Sequence, residues 1–168
     1  YTTDEHLLLT LHNLSELRQK SFYNEIYSRL NYREALHLAL LFHDIGKKGH
    51  KSHSVYGKEL TNKILKRLPV SKEIKELTLW LVENHLAMSD KAFKNDTQSP
   101  EAIAKFTSVA NTEEKINSLF LFTLCDIASV GPNVLNEWRI SLLRSLFYNA
   151  RDFLQRGLDT KTYSTSVQ

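Results

Sequence analysis

Apolar residues recur at three- and four-residue intervals along almost the whole of this chain, and no stretch sustains the apolar–polar alternation of a half-buried strand. This periodicity constrains the fold more than any other feature, because a repeat near 3.6 residues makes one continuous apolar face only on a helix. Only 5 Gly and 3 Pro interrupt it, so breaks are few and the segments between them are long enough to pack. The expectation is an all-α domain of about seven helices.

The first helix is expected over 3–20, with Thr3 as its cap and Leu7, Leu11, Leu14 and Leu17 as its stripe. A second starts near Asn31, with Glu34 three residues on as in a capping box, carries Ala35, Leu36, Ala39, Leu40 and Phe42, and ends at Gly46. Residues 47–52 read as a basic loop. A third helix covers 54–67 ahead of Pro69, and a fourth starts at Ser71 and buries Ile74, Leu77 and Leu81. After a loop over 89–98, Ser99-Pro100-Glu101 supplies the cap, N1 proline and early acid of a fifth. A sixth runs over 112–130 and stops at Gly131-Pro132, and the last, over 133–156, carries Trp138, Leu142, Leu146 and Phe153. Residues 1–158 read as one domain and 159–168 as a polar, frayed tail.

With 42% hydrophobic and 24% charged residues, the chain has enough apolar material for a core and is not of disordered composition. Cys125 stands alone, which leaves no intrachain disulfide and favours a reducing compartment, the cytoplasm. No apolar run is long enough to span a bilayer, and Thr2 to Glu5 is polar and acidic, unlike a secretory leader. A start at Tyr1 rather than Met suggests a piece of a longer chain. The net charge of +3 is too weak to argue for nucleic acid.

The chemistry lies in where histidines and acids fall on these helices. His85 comes four residues after Leu81, on the apolar face of the fourth helix. Asp126 interrupts the apolar run 116–127, where a carboxylate is costly unless it is paired or binds a metal. His43 and Asp44 close the second helix, and His6 stands one residue before the first apolar stripe. Four helices therefore each offer an inward ligand or pair. Mixed imidazole and carboxylate donors suit divalent transition metals, or magnesium where oxygen dominates. Taken singly these residues say less: a helix-end histidine is ordinarily solvated or hydrogen-bonded, and Asp126 alone reads equally as a buried, hydrogen-bonded acid. His12 and His37 share no face with the others, His50 sits three residues from His53 in the same loop, and Cys125 reads as core. The series on successive helices is what points to a metal.

That series resembles the HD superfamily of metal-dependent phosphohydrolases, and more narrowly the HD domain of the bifunctional PII uridylyltransferase/uridylyl-removing enzymes. The resemblance rests on Tyr1-Thr2-Thr3-Asp4-Glu5-His6, on Phe42-His43-Asp44-Ile45-Gly46-Lys47, and on Trp80-Leu81-Val82 followed by His85-Leu86 and Met88-Ser89. It continues through Asp126-Ile127, Gly131-Pro132, Asn136, Trp138 and Ser141-Leu142-Leu143-Arg144, so it spans about 1–158. The family usually has a second histidine where Asn84 stands, an acidic residue where Ser52 stands, and often two arginines at Lys94 and Asn95.

The resemblance implies metal-assisted hydrolysis that removes UMP from a tyrosine of the PII nitrogen-signalling protein. It implies one or two divalent ions, manganese or magnesium before iron, nickel or zinc. His6, His43, Asp44 and Asp126 would hold the first ion, and His53 and His85 a second. Asp44 would bridge the ions or orient water, and Lys47 would meet a phosphate as a point charge. The implied partners are uridylylated PII protein and, in the parent chain, nucleotidyltransferase and ACT domains; neither membrane nor DNA is expected. Two other readings stay open. The same site would serve a free cyclic nucleotide or guanosine polyphosphate, or the changes at Asn84 and Ser52 would mark a catalytically weakened domain with a regulatory binding role.

Overall fold

The computed structural model describes the backbone of residues 2–47 and 53–165, and their side chains except at Thr3, His53, Ser54 and 159–165. Nine helices and no strand occur among the described residues: α1 (Thr3–Leu17), α2 (Ser21–Ser28), α3 (Arg33–Phe42), α4 (His53–Leu65), α5 (Lys72–Glu83), α6 (Ala87–Lys94), α7 (Pro100–Val109), α8 (Glu113–Val130) and α9 (Glu137–Thr165). None of them is long and apolar enough to cross a membrane. The all-α expectation holds, and the helices beyond seven are the short α2 and α6. Neither has a side-chain cap, so neither carries a start signal in sequence. Tertiary burial stabilises them instead, through Tyr23, Ile26 and Tyr27 on α2 and through Met88 and Ala92 on α6, where a loop was expected.

Capping explains most of the other boundaries. Thr2, one residue before the expected Thr3, closes α1 with a reciprocal box: its hydroxyl accepts from Glu5 N–H at 3.3 Å, and Glu5 Oε2 accepts from Thr2 N–H at 2.9 Å. Ser71, Ser99 and Thr112 cap α5, α7 and α8 through their hydroxyls, with Pro100 at the first turn of α7. The start of α3 departs from expectation. It lies at Arg33, Tyr32 has no side-chain cap bond, and no bond from Glu34 closes a box there. Glu114 of α8 does that work: its Oε1 accepts from Asn31 N–H at 3.0 Å and from Tyr32 N–H at 2.9 Å. The last helix starts four residues later than expected. Asn133 takes a left-handed φ of 62°, which asparagine tolerates, and Asn136 Oδ1 then accepts from Arg139 N–H at 2.9 Å to open α9. From there the backbone stays helical past Arg156 to Thr165.

α8 is the axis of the molecule. Every residue from Ile116 to Cys125 is buried, which is the mark of a helix wrapped by others on all sides. α1, α2, α3, α5, α6 and α9 all pack against it. The core concentrates where α8 meets α9, with Phe120 stacked on Phe147 at 4.2 Å between ring centroids. Two packing relations place the site. α1 packs against α8, and the residues that close α3 and follow α5, His43 and His85, meet beside Phe122 of α8.

Candidate metal centre

His6 projects from α1 and Asp126 from the last third of α8, and the packing of these helices brings His6 Nε2 to 3.0 Å from Asp126 Oδ1. His43 is the C-cap of α3, where the chain leaves the helix, so His43 and Asp44 face the same region from consecutive positions. His43 Nε2 lies 3.3 Å from Asp126 Oδ1 and 3.5 Å from Asp44 Oδ2, and Asp44 Oδ2 lies 3.4 Å from His6 Nε2. Two imidazole nitrogens and two carboxylate oxygens from three parts of the chain thus meet in one place. His43 and Asp44 are 2% and 6% exposed, so little water shields them.

The protonation of the rings follows from their other contacts. His43 Nδ1 stands 2.9 Å from the carbonyl oxygen of Leu40, which can only accept, so Nδ1 carries the proton. His85 does the same with the carbonyl of Val82 at 2.6 Å. Ser129 donates its one hydroxyl proton to the carbonyl of Asp126 at 2.6 Å, which leaves its oxygen to accept from His6 Nδ1 at 3.1 Å. His43 and His85 therefore spend Nδ1 on a backbone carbonyl, while His6 meets Ser129 through Nδ1 and Asp126 through Nε2. For His43 the consequence is sharp. Its Nε2 is buried with no hydrogen-bond partner, and in the neutral ring it turns a lone pair toward two carboxylates. A lone pair so placed is repulsive unless a proton or a metal ion lies between the ring and the carboxylates.

A divalent ion fits this requirement. One ligand atom each from His6, His43 and Asp126 falls within 4.8 Å of the others. Adjacent ligands of an ion with bonds of about 2.1 Å stand about 3.0–3.5 Å apart, and the His6–Asp126 and His43–Asp126 separations of 3.0 and 3.3 Å agree. The donor set, nitrogen with oxygen, suits transition metals and manganese.

The family model for the HD domain matches residues 3–128. The chain belongs to the HD domain family. Among its relatives are three bifunctional uridylyltransferase/uridylyl-removing enzymes. The protein of Ruegeria pomeroyi is 35% identical over 165 residues, 95% of this chain and 18% of that protein. That of Rhodospirillum rubrum is 36% identical over 173 residues, 99% and 18%, and that of Nitrosospira multiformis is 39% identical over 160 residues, 92% and 18%. The chain thus spans less than a fifth of the length of these curated relatives. It is a phosphohydrolase domain of the HD type.

In this HD domain the charges are strongly coupled. Burial works against ionisation of Asp126, yet the imidazoles of His43 and His6 outweigh it and hold the carboxyl below the ordinary range. The hydrogen bond to Asp126 raises His6 against the opposing effect of burial. Burial lowers His85, with the neighbouring His43 adding to it. Lys47 reaches back to Asp44 Oδ2 at 2.5 Å with a side chain that is 55% exposed, so a solvent-facing lysine sits on a nearly buried carboxylate.

The remaining candidates divide. His85 is in the turn after α5 rather than on its apolar face, since α5 ends at Glu83. Its ring still lies edge-on to that of His43, with centroids 5.3 Å apart, and Phe122 packs against both. His53 opens α4, but its side chain is outside the described residues, as are His50 and the rest of 48–52. Asn84 spends its amide on the carbonyl of Trp80 at 2.9 Å, closing α5. His37 pairs with the hydroxyl of Tyr27 instead of the cluster. Cys125 is buried, and burial followed by the charge of Asp126 pushes its thiol up, so it is no nucleophile. Sequence reasoning missed Ser129 and the carbonyls of Leu40 and Val82. Ser129 stands three residues after Asp126, a spacing that signals a back-bond to the helix, but nothing in the sequence brings His6 to it.

Proposed function

We propose that this HD domain hydrolyses a phosphodiester with the help of divalent metal, and that its substrate is the UMP–tyrosine bond of uridylylated PII protein. The observation that carries the metal-assisted part is the orphaned Nε2 of His43, buried and facing Asp44 and Asp126. The substrate rests on likeness to relatives whose names include the removal of uridylyl groups. His6, His43, Asp44 and Asp126 would hold an ion, and His85 with His53 a second. When bound, such an ion lowers the pKa of a water and draws charge from phosphoryl oxygens.

The protein's own groups supply the rest. Lys47 stands at the exposed side of Asp44 and meets an incoming phosphoryl oxygen as a point charge. Asp44 orients the attacking water and takes its proton. In the net reaction the water oxygen joins phosphorus, the phosphorus–tyrosine oxygen bond breaks, one water proton ends on the tyrosine hydroxyl, and UMP leaves. The free, buried thiol of Cys125 accords with work in the cytoplasm. In the parent protein the domain would neighbour nucleotidyltransferase and ACT domains, within one chain whose other partner is PII. Residues 1–158 are the hydrolase unit in this reading.

The test is to incubate the domain with uridylylated PII and manganese and to follow PII mass. Stepwise loss of UMP, abolished by chelator, is expected. Retention of UMP alongside brisk hydrolysis of a cyclic or polyphosphorylated guanine nucleotide would move the assignment to a free nucleotide.

A further inference from the structure

We infer that Phe122 is a positioning residue of the metal centre: its ring is the shared wall that fixes how the imidazoles of His43 and His85 stand in the site. The inference rests on the reading of the site as a metal centre and adds a residue that can bind no ion itself.

The observation is a triangle of packed rings. The centroid of Phe122 lies 5.1 Å from that of His43, with the planes at 88°, and 6.1 Å from that of His85, with the planes at 57°. His43 and His85 complete the triangle at 5.3 Å and 65°. Edge-on and tilted arrangements of this kind are the ones aromatic rings favour. The rings come from three parts of the chain: Phe122 from α8, His43 from the C-cap of α3, and His85 from the turn after α5. Phe122 and His43 are 0% and 2% exposed, so their contact is sealed from solvent.

Consider what else holds the two imidazoles. Each meets one backbone carbonyl through Nδ1, that of Leu40 for His43 and that of Val82 for His85. A ring held at its Cβ bond and at one nitrogen can still tilt about the line that joins them. A wall packed against the ring removes that freedom. Phe122 is placed to set the tilt of His43, because it stands four residues before Asp126, on the same face of α8. That face therefore presents both the ring on which His43 packs and the carboxylate oxygen 3.3 Å from His43 Nε2. Ligands set in advance bind an ion more tightly, because the ion then has less to order on arrival.

Phe120 provides a matched control. It lies two residues away on α8, about 200° around the helix axis, and it is also fully buried. Its ring partners are Phe147 at 4.2 Å and Tyr23 at 6.3 Å. Phe120→Leu and Phe122→Leu thus make the same change in the same helix at the same depth.

The experiment compares Phe122→Leu, Phe122→Met and Phe120→Leu with the unsubstituted domain. It reads manganese affinity by calorimetry and, in the metal-free protein, proton cross-relaxation between the His43 and His85 rings by NMR. Two replacements are made at position 122 so that one folded variant suffices, methionine filling the gap with a flexible chain. Both are expected to bind manganese about three- to tenfold more weakly, the cost of ordering side chains that the protein no longer holds. Both are expected to lose the cross-relaxation between the two imidazoles. Phe120→Leu is expected to lower the unfolding temperature and to leave both quantities unchanged. Unchanged affinity or retained cross-relaxation in the folded variants at position 122, or an equal loss of affinity in all three, overturns the inference and makes Phe122 ordinary core. If the unsubstituted domain binds no manganese, the metal reading itself falls, and the ring contact in the metal-free variants alone then decides whether Phe122 sets the imidazoles.

Discussion

The buried Nε2 of His43 lies 3.3 Å from Oδ1 of Asp126, with no hydrogen bond to satisfy it. A cation held there stabilises the fold, because it binds the native chain and not the unfolded one. At a hundredfold excess over its dissociation constant, manganese should add about 2.7 kcal/mol. Thermal unfolding with and without chelator measures this. In Asp126→Ala the gain should vanish, with only a modest change in stability of the metal-free domain. A variant that unfolds readily yet keeps the full metal-dependent rise would make Asp126 a structural acid instead.

Glu114 closes α3 from the middle of the sequence, accepting from the amides of Asn31 and Tyr32. Those donors have no other partner if the carboxylate goes, and α3 carries His43 at its far end. Glu114→Ala should cost about 1–2 kcal/mol in urea unfolding, the range for a lost helix cap. A change within about 0.3 kcal/mol would show that water replaces the carboxylate freely.

This contact also marks where sequence reading stops. The helices were legible wherever a cap and a periodic stripe coincide, as at Ser71, Ser99 and Thr112. They were not legible where a partner remote in sequence supplies the cap, as for α3, or where burial alone holds a short uncapped helix, as for α2 and α6. At the site, residue type was enough to single out His6, His43, Asp44 and Asp126, because an acid in an apolar helix and a His-Asp pair at a helix end are costly without a purpose. What each histidine meets through Nδ1 was not legible, since the partners are Leu40, Val82 and Ser129, residues with no distinctive chemistry of their own.

His37 gives the domain a titration remote from the metal residues. Burial, reinforced by Arg18 and opposed by Glu34, lowers its pKa in the fold, and its Nε2 lies 2.9 Å from the hydroxyl of Tyr27. The unfolded chain takes up this proton near pH 6.5. Between the lowered folded value and about pH 6.5 the unfolded state holds more protons, so stability rises with pH across that window. The contribution is fully present above about 6.5 and is lost as pH falls through the folded value. Glutamine at this position keeps an acceptor for Tyr27 and cannot titrate. Urea unfolding from about pH 5 to 7.5 should therefore fall less steeply on the acid side for His37→Gln than for the unsubstituted domain. Parallel curves would show that His37 does not titrate in this window.

Lys47 separates a working lysine from a solvated one by moving two measurements in opposite directions. Its ammonium sits 2.5 Å from Asp44 Oδ2, the same oxygen that lies 3.4 Å from His6 Nε2 and 3.5 Å from His43 Nε2. An incoming divalent ion must share or take that oxygen, and it meets a positive charge in doing so. Lys47→Gln removes both the competitor and the repulsion, so manganese affinity should rise roughly three- to tenfold, consistent with partly screened charges at the surface. The same substitution removes the cation proposed to meet the phosphoryl oxygens, so turnover of the phosphodiester at saturating manganese should fall about ten- to a hundredfold. Lys47→Arg keeps the charge and should restore the metal affinity of the unsubstituted domain, while recovering turnover only as far as its longer fork reaches the same oxygen. Tighter metal with slower hydrolysis in the glutamine variant is the signature of a residue acting at the centre. A lysine that merely decorates the turn after α3 would leave both quantities where they were.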